Sequence, residues 1–415
     1  MTSPAFYNKY PCKKIRHDGT IVNMINVGFL NQQFLVQKEV INALRRMTGI
    51  RVVIITIPDL PSAQQAEKAC HALTDNKCSL LFTINDWGID RFGIIPAYME
   101  KKAGVHVNWC VDDPFFTEIY HNRPSFPKYD RLDFVSNRAY VAQMTSKGFS
   151  AFFMPLATDP EIFYPSQTAR EYKKDLCFVG NSYRKQLDEF CSGYEDFMDS
   201  LVPFMSNLLK HYLTDLTLDI EAQITNKIVS TPLPAGLSQP RAIFIVKHFI
   251  SYLFRKKFVC GLAESYPGFM VFGDELWLRD LPASQVFPGV VSYYSQLNEI
   301  YQTTKINIDI NRVVITEGLT QRVFDCLAGC NFIMTSKKAI VSELFETKGK
   351  NQEVVVFDNE CHCKELIDYF LKNEDERMTI ARRGMNRVMS QHTYHHRIRE
   401  IFKILSMQLG NIQNE

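Results

Sequence analysis

No uninterrupted apolar run in this chain is long enough to span a bilayer. The opening stretch, MTSPAFYNKYPCKK, lacks the apolar core of a secretory signal. Charge of one sign is missing too. Lys and Arg number 47 against 45 Asp and Glu, a formal net charge of +2. That excludes a strongly basic nucleic-acid binder in the global sense and leaves room only for a local basic cleft. The 11 cysteines are an odd number without a regular framework of spacings. With no signal in view, this predicts reduced thiols in a cytoplasmic setting. Cys361-His362-Cys363 is too tight for a usual zinc pair and has no second pair to match it, so no metal site is expected. There is no GxGxxG fingerprint either. Gly28 stands alone, which argues against dinucleotide binding.

What is present suits an ordinary globular protein. The 415 residues are 46% hydrophobic and 22% charged, long for one core and comfortable for two. The first half alternates strand and helix. Ile21 to Val27 reads as a strand ending at Gly28, which makes a tight turn or admits a ligand closely. Asn31 is a candidate cap for a helix that buries Phe34, Leu35, Val40, Ile41 and Leu44. Further strands are expected at Arg51 to Ile57, Ser79 to Ile84, Val105 to Val111 and Ala151 to Leu156. Such short steps predict a parallel sheet covered on both faces, with ligands beyond the carboxyl ends of its strands. The loops 28–31, 85–93 and 112–118 lie there. They hold Asp86, Asp112 and Asp113, candidates for a base that takes a proton from a hydroxyl. The plain alternatives are a turn at Asp113-Pro114 and a helix cap at Asp86. His106 and His121 are nearby alternatives, and His106 falls within a strand pattern and reads as packed.

The densest information lies in KINIDINRVVITEGLTQRVFDCLAGCNFIMT, Lys305 to Thr335. Ile306, Ile308 and Ile310 alternate with polar residues, the period of a strand. Gly318 supplies backbone freedom in the loop. Thr320 is a candidate N-cap for a helix Gln321 to Ala328, and Gly329 ends it. Glu317 and Asp325 frame the unit, and Arg322 stands one turn before Asp325, so both can face one cavity. A carboxylate accepts from paired sugar hydroxyls, and a guanidinium fork holds phosphate oxygens. Earlier, Asp175 to Val179 is a strand followed by Gly180-Asn181-Ser182-Tyr183-Arg184-Lys185. A glycine turn opening a helix offers free N–H groups, with Arg184 adding positive charge.

A loop glutamate, seven residues, then a second acid on a helix before a small-residue turn resembles the donor-site motif of GT-B glycosyltransferases. The strings GLTQRVFDCLAGCNFIMT and HTYHHRI (His392 to Ile398) resemble the spore-maturation-protein, CgeB-like branch. Many members carry glutamate where this chain has Asp325, whose arm is shorter by one methylene. The resemblance covers residues 290–400 most strongly and 20–185 more weakly. It implies an α/β chain of two Rossmann-like domains facing a cleft. It implies a nucleotide-diphosphate sugar as donor substrate, no cofactor, and a glycan or protein acceptor. Gly180, Ser182, Arg184 and Arg322 would meet the diphosphate, Asp325 the ribose, and Glu317 the transferred sugar or its phosphate neighbour. Gly28 and Gly273 would line the donor. Asp86 or Asp113 would assist the acceptor. HTYHHRI would open a final helix that crosses back to the first domain.

The expected domains are 1–164, on the acceptor side, and 165–391, which binds the donor, with 392–415 as the final helix. Glycine nearly vanishes over 186–262, where apolar residues recur at helical spacing, so a helical insertion is expected there. Its last block, 242–259, mixes apolar and aromatic residues with Lys247, Arg255, Lys256 and Lys257. It reads as a helix packed on the domain or as a peripheral contact with an anionic membrane face. Phe269 to Phe272 is an expected strand ending at Gly273, and Val286 to Tyr294 is expected to contain another. The rival functions on this reading are a nucleotide-sugar epimerase or hydrolase, and a non-catalytic scaffold.

Overall fold

A computed structural model describes residues 12–15, 21–115, 130–167 and 171–411. His121 lies outside the described residues. The chain forms two compact units: Met1–Asp159 with His392–Glu415, and Pro160–Gln391. Tyr164, the last residue of the expected first domain, belongs to the second unit, where its carbonyl accepts from Gln302 Nε2 at 2.6 Å and Asn298 Nδ2 at 3.2 Å.

Unit 1 runs β1 (Cys12–Ile15), β2 (Ile21–Asn31), α1 (Gln37–Arg45), β3 (Ile50–Thr56), α2 (Ala63–Asp75) and β4 (Leu80–Ile84). It continues with α3 (Ile94–Lys102), β5 (Val105–Cys110), β6 (Arg131–Val135), α4 (Ala139–Ser146) and β7 (Ala151–Phe153). β2 pairs in parallel with β3 on one side and β4 on the other, and β5, β6 and β7 follow in parallel. β1 adds an antiparallel stretch to the start of β2. Every residue of β4 and β5 is buried, as a parallel sheet covered on both faces requires.

Unit 2 begins with β8 (Lys174–Val179). Four helices fill the crossover to the next strand: α5 (Arg184–Cys191), α6 (Glu195–Thr214), α7 (Ile220–Val229) and α8 (Gln239–Ser265). Then come β9 (Phe269–Phe272), α9 (Leu297–Gln302), β10 (Thr304–Asp309), α10 (Gln321–Ala328), β11 (Ile333–Ser336) and α11 (Ala339–Leu344). β12 (Val355–Phe357), α12 (Glu360–Lys372) and α13 (Glu374–Gln391) complete it. Its sheet is parallel throughout, in the order β12-β11-β10-β8-β9. Strand order reverses between β2 and β4 in unit 1 and between β8 and β10 in unit 2. Such reversals open a crevice at the carboxyl ends of the strands, where ligands of open α/β sheets sit.

The last helix, α14 (Tyr394–Asn411), packs in unit 1. Thr393 bridges to Thr158, and Tyr394 meets Trp109 edge-on at 5.7 Å. Arg397 donates to the carbonyls of Pro155 and Leu156 at 2.8 and 3.1 Å. Ile398, Ile401 and Leu405 join the core formed by Val27, Phe29, Phe82 and Trp109. HTYHHRI thus serves docking and capping within this unit.

Several expectations change. β2 runs past Gly28 to Asn31, so Gly28 pairs inside the sheet, not in a loop. A Cβ there would stand 2.2 Å from Leu73 Cδ2, so close packing of α2 accounts for the glycine. α1 begins at Gln37, six residues after Asn31, and leaves Phe34 46% and Leu35 52% exposed. Val286 to Tyr294 is not a strand: only Val286 bridges Val271. α8 buries Phe244, Ile245, Ile250, Phe254 and Phe258 inside unit 2, with Lys247 paired to Glu221 at 2.9 Å. Most of its apolar side is therefore spent on the core. No described helix is long and apolar enough to cross one.

Candidate functional site

The crevice of unit 2 is built by the ends of β8 and β10 and the start of α10. Asp309, the last residue of β10, is fully buried. Its carboxylate accepts from Thr320 Oγ1 at 2.9 Å and Thr335 Oγ1 at 2.7 Å, and is paired with Arg322. Thr320 therefore gives its hydroxyl to the sheet and makes no cap bond to α10. Gly318 is not in the left-handed region, and Cys330, φ 58°, takes that conformation after α10 in place of Gly329.

Two further arginines gather there. Arg255, from α8, is 3% exposed and donates to the carbonyls of Asn181 at 3.1 Å and Ile310 at 3.2 Å. Its guanidinium lies over the rings of Tyr183 and Phe178, and Arg322 also lies over Phe178, at 5.3 Å. Arg312 lies over Tyr183 at 4.4 Å and makes no ion pair among the described residues. Burial, with Arg322 and Arg312 adding to it, pulls Arg255 down to about 9. Lys338, just beyond β11, donates to Tyr212 Oη at 3.3 Å and is pulled down to about 8 by burial. Arg322 thus pairs with the Asp309 carboxylate, while Arg255 and Arg312 gather on the rings beside it and Lys338 lies buried near the same strand ends. Such a field favours a multiply charged anion.

The sequence found Arg322 but missed Asp309, Arg255, Arg312 and Lys338. Asp309 has a visible signal, a carboxylate ending an alternating strand one residue before Ile310. Arg255 had none, because its partners lie 74 and 55 residues away.

The turn Gly180 to Arg184 differs from its expected form. Gly180 N–H donates to the Phe272 carbonyl, Ser182 N–H to Asp274, and Arg184 N–H to Ser182 Oγ. These groups are spent on the turn. Asp274 also receives the Ser182 hydroxyl at 2.7 Å. Gly180 and Gly273 let two backbone segments meet, since a Cβ on Gly273 would stand 2.3 Å from the Gly180 carbonyl oxygen. Trp277 Nε1 donates to that same oxygen at 2.9 Å. Arg184 turns to Asp188 at 2.9 Å and Tyr252 Oη at 3.4 Å, and so points to its own helix and α8.

Asp325 and Arg322 do not share a partner. Asp325 is buried and accepts from Tyr293 Oη at 2.9 Å, and Gln321 Nε2 donates to the same hydroxyl. Glu317 is exposed in the preceding loop.

In unit 1, Asp86 follows β4 in a left-handed backbone, φ 55°, with Asn85 at φ 53° before it. Its carboxylate receives Arg131 Nη2 at 2.7 Å, and Arg131 also grips Asp133 through Nε and Nη2. Asn108 accepts from Asp86 N–H at 2.9 Å, so this acid is held in place and kept near a cation. Asp86 does not cap α3. Asp113 accepts from Phe115 N–H at 2.9 Å, as in a turn. Asp112 receives Asn85 Nδ2 at 2.8 Å. His106 is buried against Thr83 Oγ1 at 2.7 Å and is pulled down to about 3, first by burial and then by Arg131. A histidine so placed is packed and neutral.

Residues 255–403 match a family described as glycosyl transferase-like. No curated protein matches the chain. Among solved structures, Anabaena HepE in complex with UDP-glucose has a TM-score of 0.53 at 9% identity, covering 92% of this chain and 100% of that one. A glycosyltransferase from Rickettsia africae gives 0.49 at 10% identity, covering 93% and 99%. Sucrose-phosphate synthase from Thermosynechococcus elongatus gives 0.45 at 10%, covering 94% and 98%. The first likeness is one of fold: the two-unit α/β chain has the GT-B fold, and a glycosyl transferase-like segment spans much of its second unit.

Proposed function

We propose that this protein is a metal-independent glycosyltransferase. It takes a sugar from a nucleotide-diphosphate donor and passes it to a hydroxyl or other nucleophile of a glycan or protein. The observation that carries this reading is the cluster of Arg255, Arg312 and Arg322 at the unit 2 crevice. Negative charge grows on the diphosphate as the glycosidic bond breaks, and fixed guanidiniums stabilise it most at that moment. They supply the charge that a divalent cation supplies elsewhere, which is the ground for metal independence. Asp325 would take the ribose hydroxyls and Glu317 the transferred sugar. Arg184 would reach the diphosphate by leaving Asp188. Asp86, held by Arg131, or Asp113 would receive the acceptor proton. HepE was solved with UDP-glucose, which makes UDP-sugars the first donors to try. The strings GLTQRVFDCLAGCNFIMT and HTYHHRI support the CgeB-like branch, and action in the cytoplasm is part of this reading.

One observation favours a second reading, a scaffold that binds without turnover: Arg322 and Asp325 already have internal partners, Asp309 and Tyr293. An assay of nucleotide release from UDP-, GDP-, dTDP- and CDP-sugars, with and without a glycan mixture, separates the readings. Release that requires acceptor and disappears in Arg312→Ala is expected. Release without acceptor would replace the transferase by a hydrolase or epimerase, and binding without release would bring the scaffold forward.

A further inference from the structure

Left-handed backbone outside glycine recurs in two loops of unit 1. Gln33, Val36, Asn85 and Asp86 are four of the eight non-glycine residues with positive φ among the described residues. All four lie in the loops that follow β2 and β4, the two strands flanking the crevice of unit 1. Val36, at φ 76°, is β-branched and would not choose this conformation unaided. Strain of this sort persists where surrounding contacts enforce it, and it clusters at ligand sites. Here the enforcing contacts are visible. Buried Gln37 accepts from the N–H groups of Gln32 and Phe34 at 2.9 and 3.2 Å and donates to Gln32 Oε1 at 2.5 Å. Gly88 packs against Gln32 and donates its N–H to the Asp59 carbonyl at 3.0 Å.

Between the loops that follow β2 and β3 lies an open cavity of about 320 Å³, its lining including Gln32, Phe34, Thr56, Ile57, Pro58 and Asp59. Phe34 stands 46% exposed on its wall, braced edge-on by Trp87 at 4.8 Å. The polar groups beside it are a carboxylate, a hydroxyl and an amide, and Gln32 Nε2 is buried without a hydrogen-bond partner. Among the described residues no lysine or arginine lines the cavity, in contrast to the crevice of unit 2. The chemistry suits a neutral polyol with one apolar face: C–H bonds lie on the aromatic ring, and hydroxyls reach the carboxylate and amide. A phosphate or nucleotide would find no cation here.

We infer that this cavity binds a pyranose ring of a glycan, face down on Phe34, through Asp59, Thr56 and Gln32. That this sugar is the acceptor rests on the proposed glycosyltransferase function; the binding itself does not. The test is saturation-transfer NMR on the full chain with a panel of neutral methyl glycopyranosides. Wild type, Phe34→Ala, Phe34→Tyr and Asp59→Asn are compared, and UDP binding is followed in parallel. The expected result is transfer from wild type that falls about tenfold in Phe34→Ala and survives in Phe34→Tyr, with UDP binding unchanged in all four. Transfer that persists in a chain failing to bind UDP would still support the sugar site while removing the donor reading. No transfer from folded wild type, or transfer indifferent to both Phe34→Ala and Asp59→Asn, would overturn the inference.

Discussion

Arg255 is shut away from water with its Nε atom unpartnered, while two other guanidiniums bear on the same pair of rings. Burying like charges together is unfavourable unless a counter-ion completes the group. Asp309 offsets part of this, and an entering diphosphate would offset the rest. Asp325 poses the opposite question, for its carboxylate is already served by Tyr293 Oη at 2.9 Å. If that hydroxyl stands where a ribose hydroxyl will stand, Tyr293→Phe should lower the melting temperature without nucleotide and tighten nucleotide binding. A lost hydrogen bond to a buried charged group is worth about 1.5–3 kcal/mol, so a tightening of roughly tenfold is within reach. Calorimetric titration of both forms checks this. Weaker binding in the variant would make Tyr293 a support for Asp325, not its stand-in.

Among the elements, the ends of β8 and β9 meet closely. Alanine at Gly273 would press its Cβ to 2.3 Å from the Gly180 carbonyl oxygen and 2.8 Å from Trp277 Nε1. Overpacking of this kind costs about 1–3 kcal/mol, so Gly273→Ala should melt several degrees lower by calorimetry. An unchanged melting temperature would mean that the junction can spread. α10 was legible in the sequence to the residue, Gln321 to Ala328, because an apolar stripe and flanking Thr320 and Gly329 agree locally. Val286 to Tyr294 misled, since its β-branched and aromatic residues resemble a strand, and only packing against Val271 decides the matter. α8 is packed on its unit, one of the two readings of 242–259, but the place of Arg255 was not legible. Lys256 and Lys257 beside Arg255 suggest a wet face, but the helix turns Arg255 inward to carbonyls at the ends of β8 and β10. Such a contact is made in three dimensions, and no spacing along the chain records it. The same applies to the unit 1 loops, where the sequence named Asp86 but not the strained Gln33 and Val36 beside Phe34.

Over the whole molecule, the alternation of strand and helix matches two sheets that are parallel but for β1, and each reverses strand order at one point. The molecule should also carry a defined acid sensitivity. His106 is held near 3, below the ordinary value of about 6.5, because burial and Arg131 disfavour its cation. As pH falls the unfolded chain takes up this proton first. The stability it contributes is therefore complete above about 6.5 and is lost progressively toward 3, by roughly 1.4 kcal/mol per pH unit. His106→Gln should flatten the melting curve against pH in that window, and equal slopes would contradict the burial argument.

The central claim is that the arginine cluster of unit 2 is a diphosphate site. It is tested most directly by titrating UDP into the wild-type protein and into Arg312→Ala by calorimetry. Arg312 makes no ion pair among the described residues, so its loss should leave the fold intact. Saturable binding that weakens by about tenfold or more in the variant, at an unchanged melting temperature, is the expected result. Equal binding by both forms, or none by UDP, GDP, dTDP or CDP to the folded wild type, would contradict it.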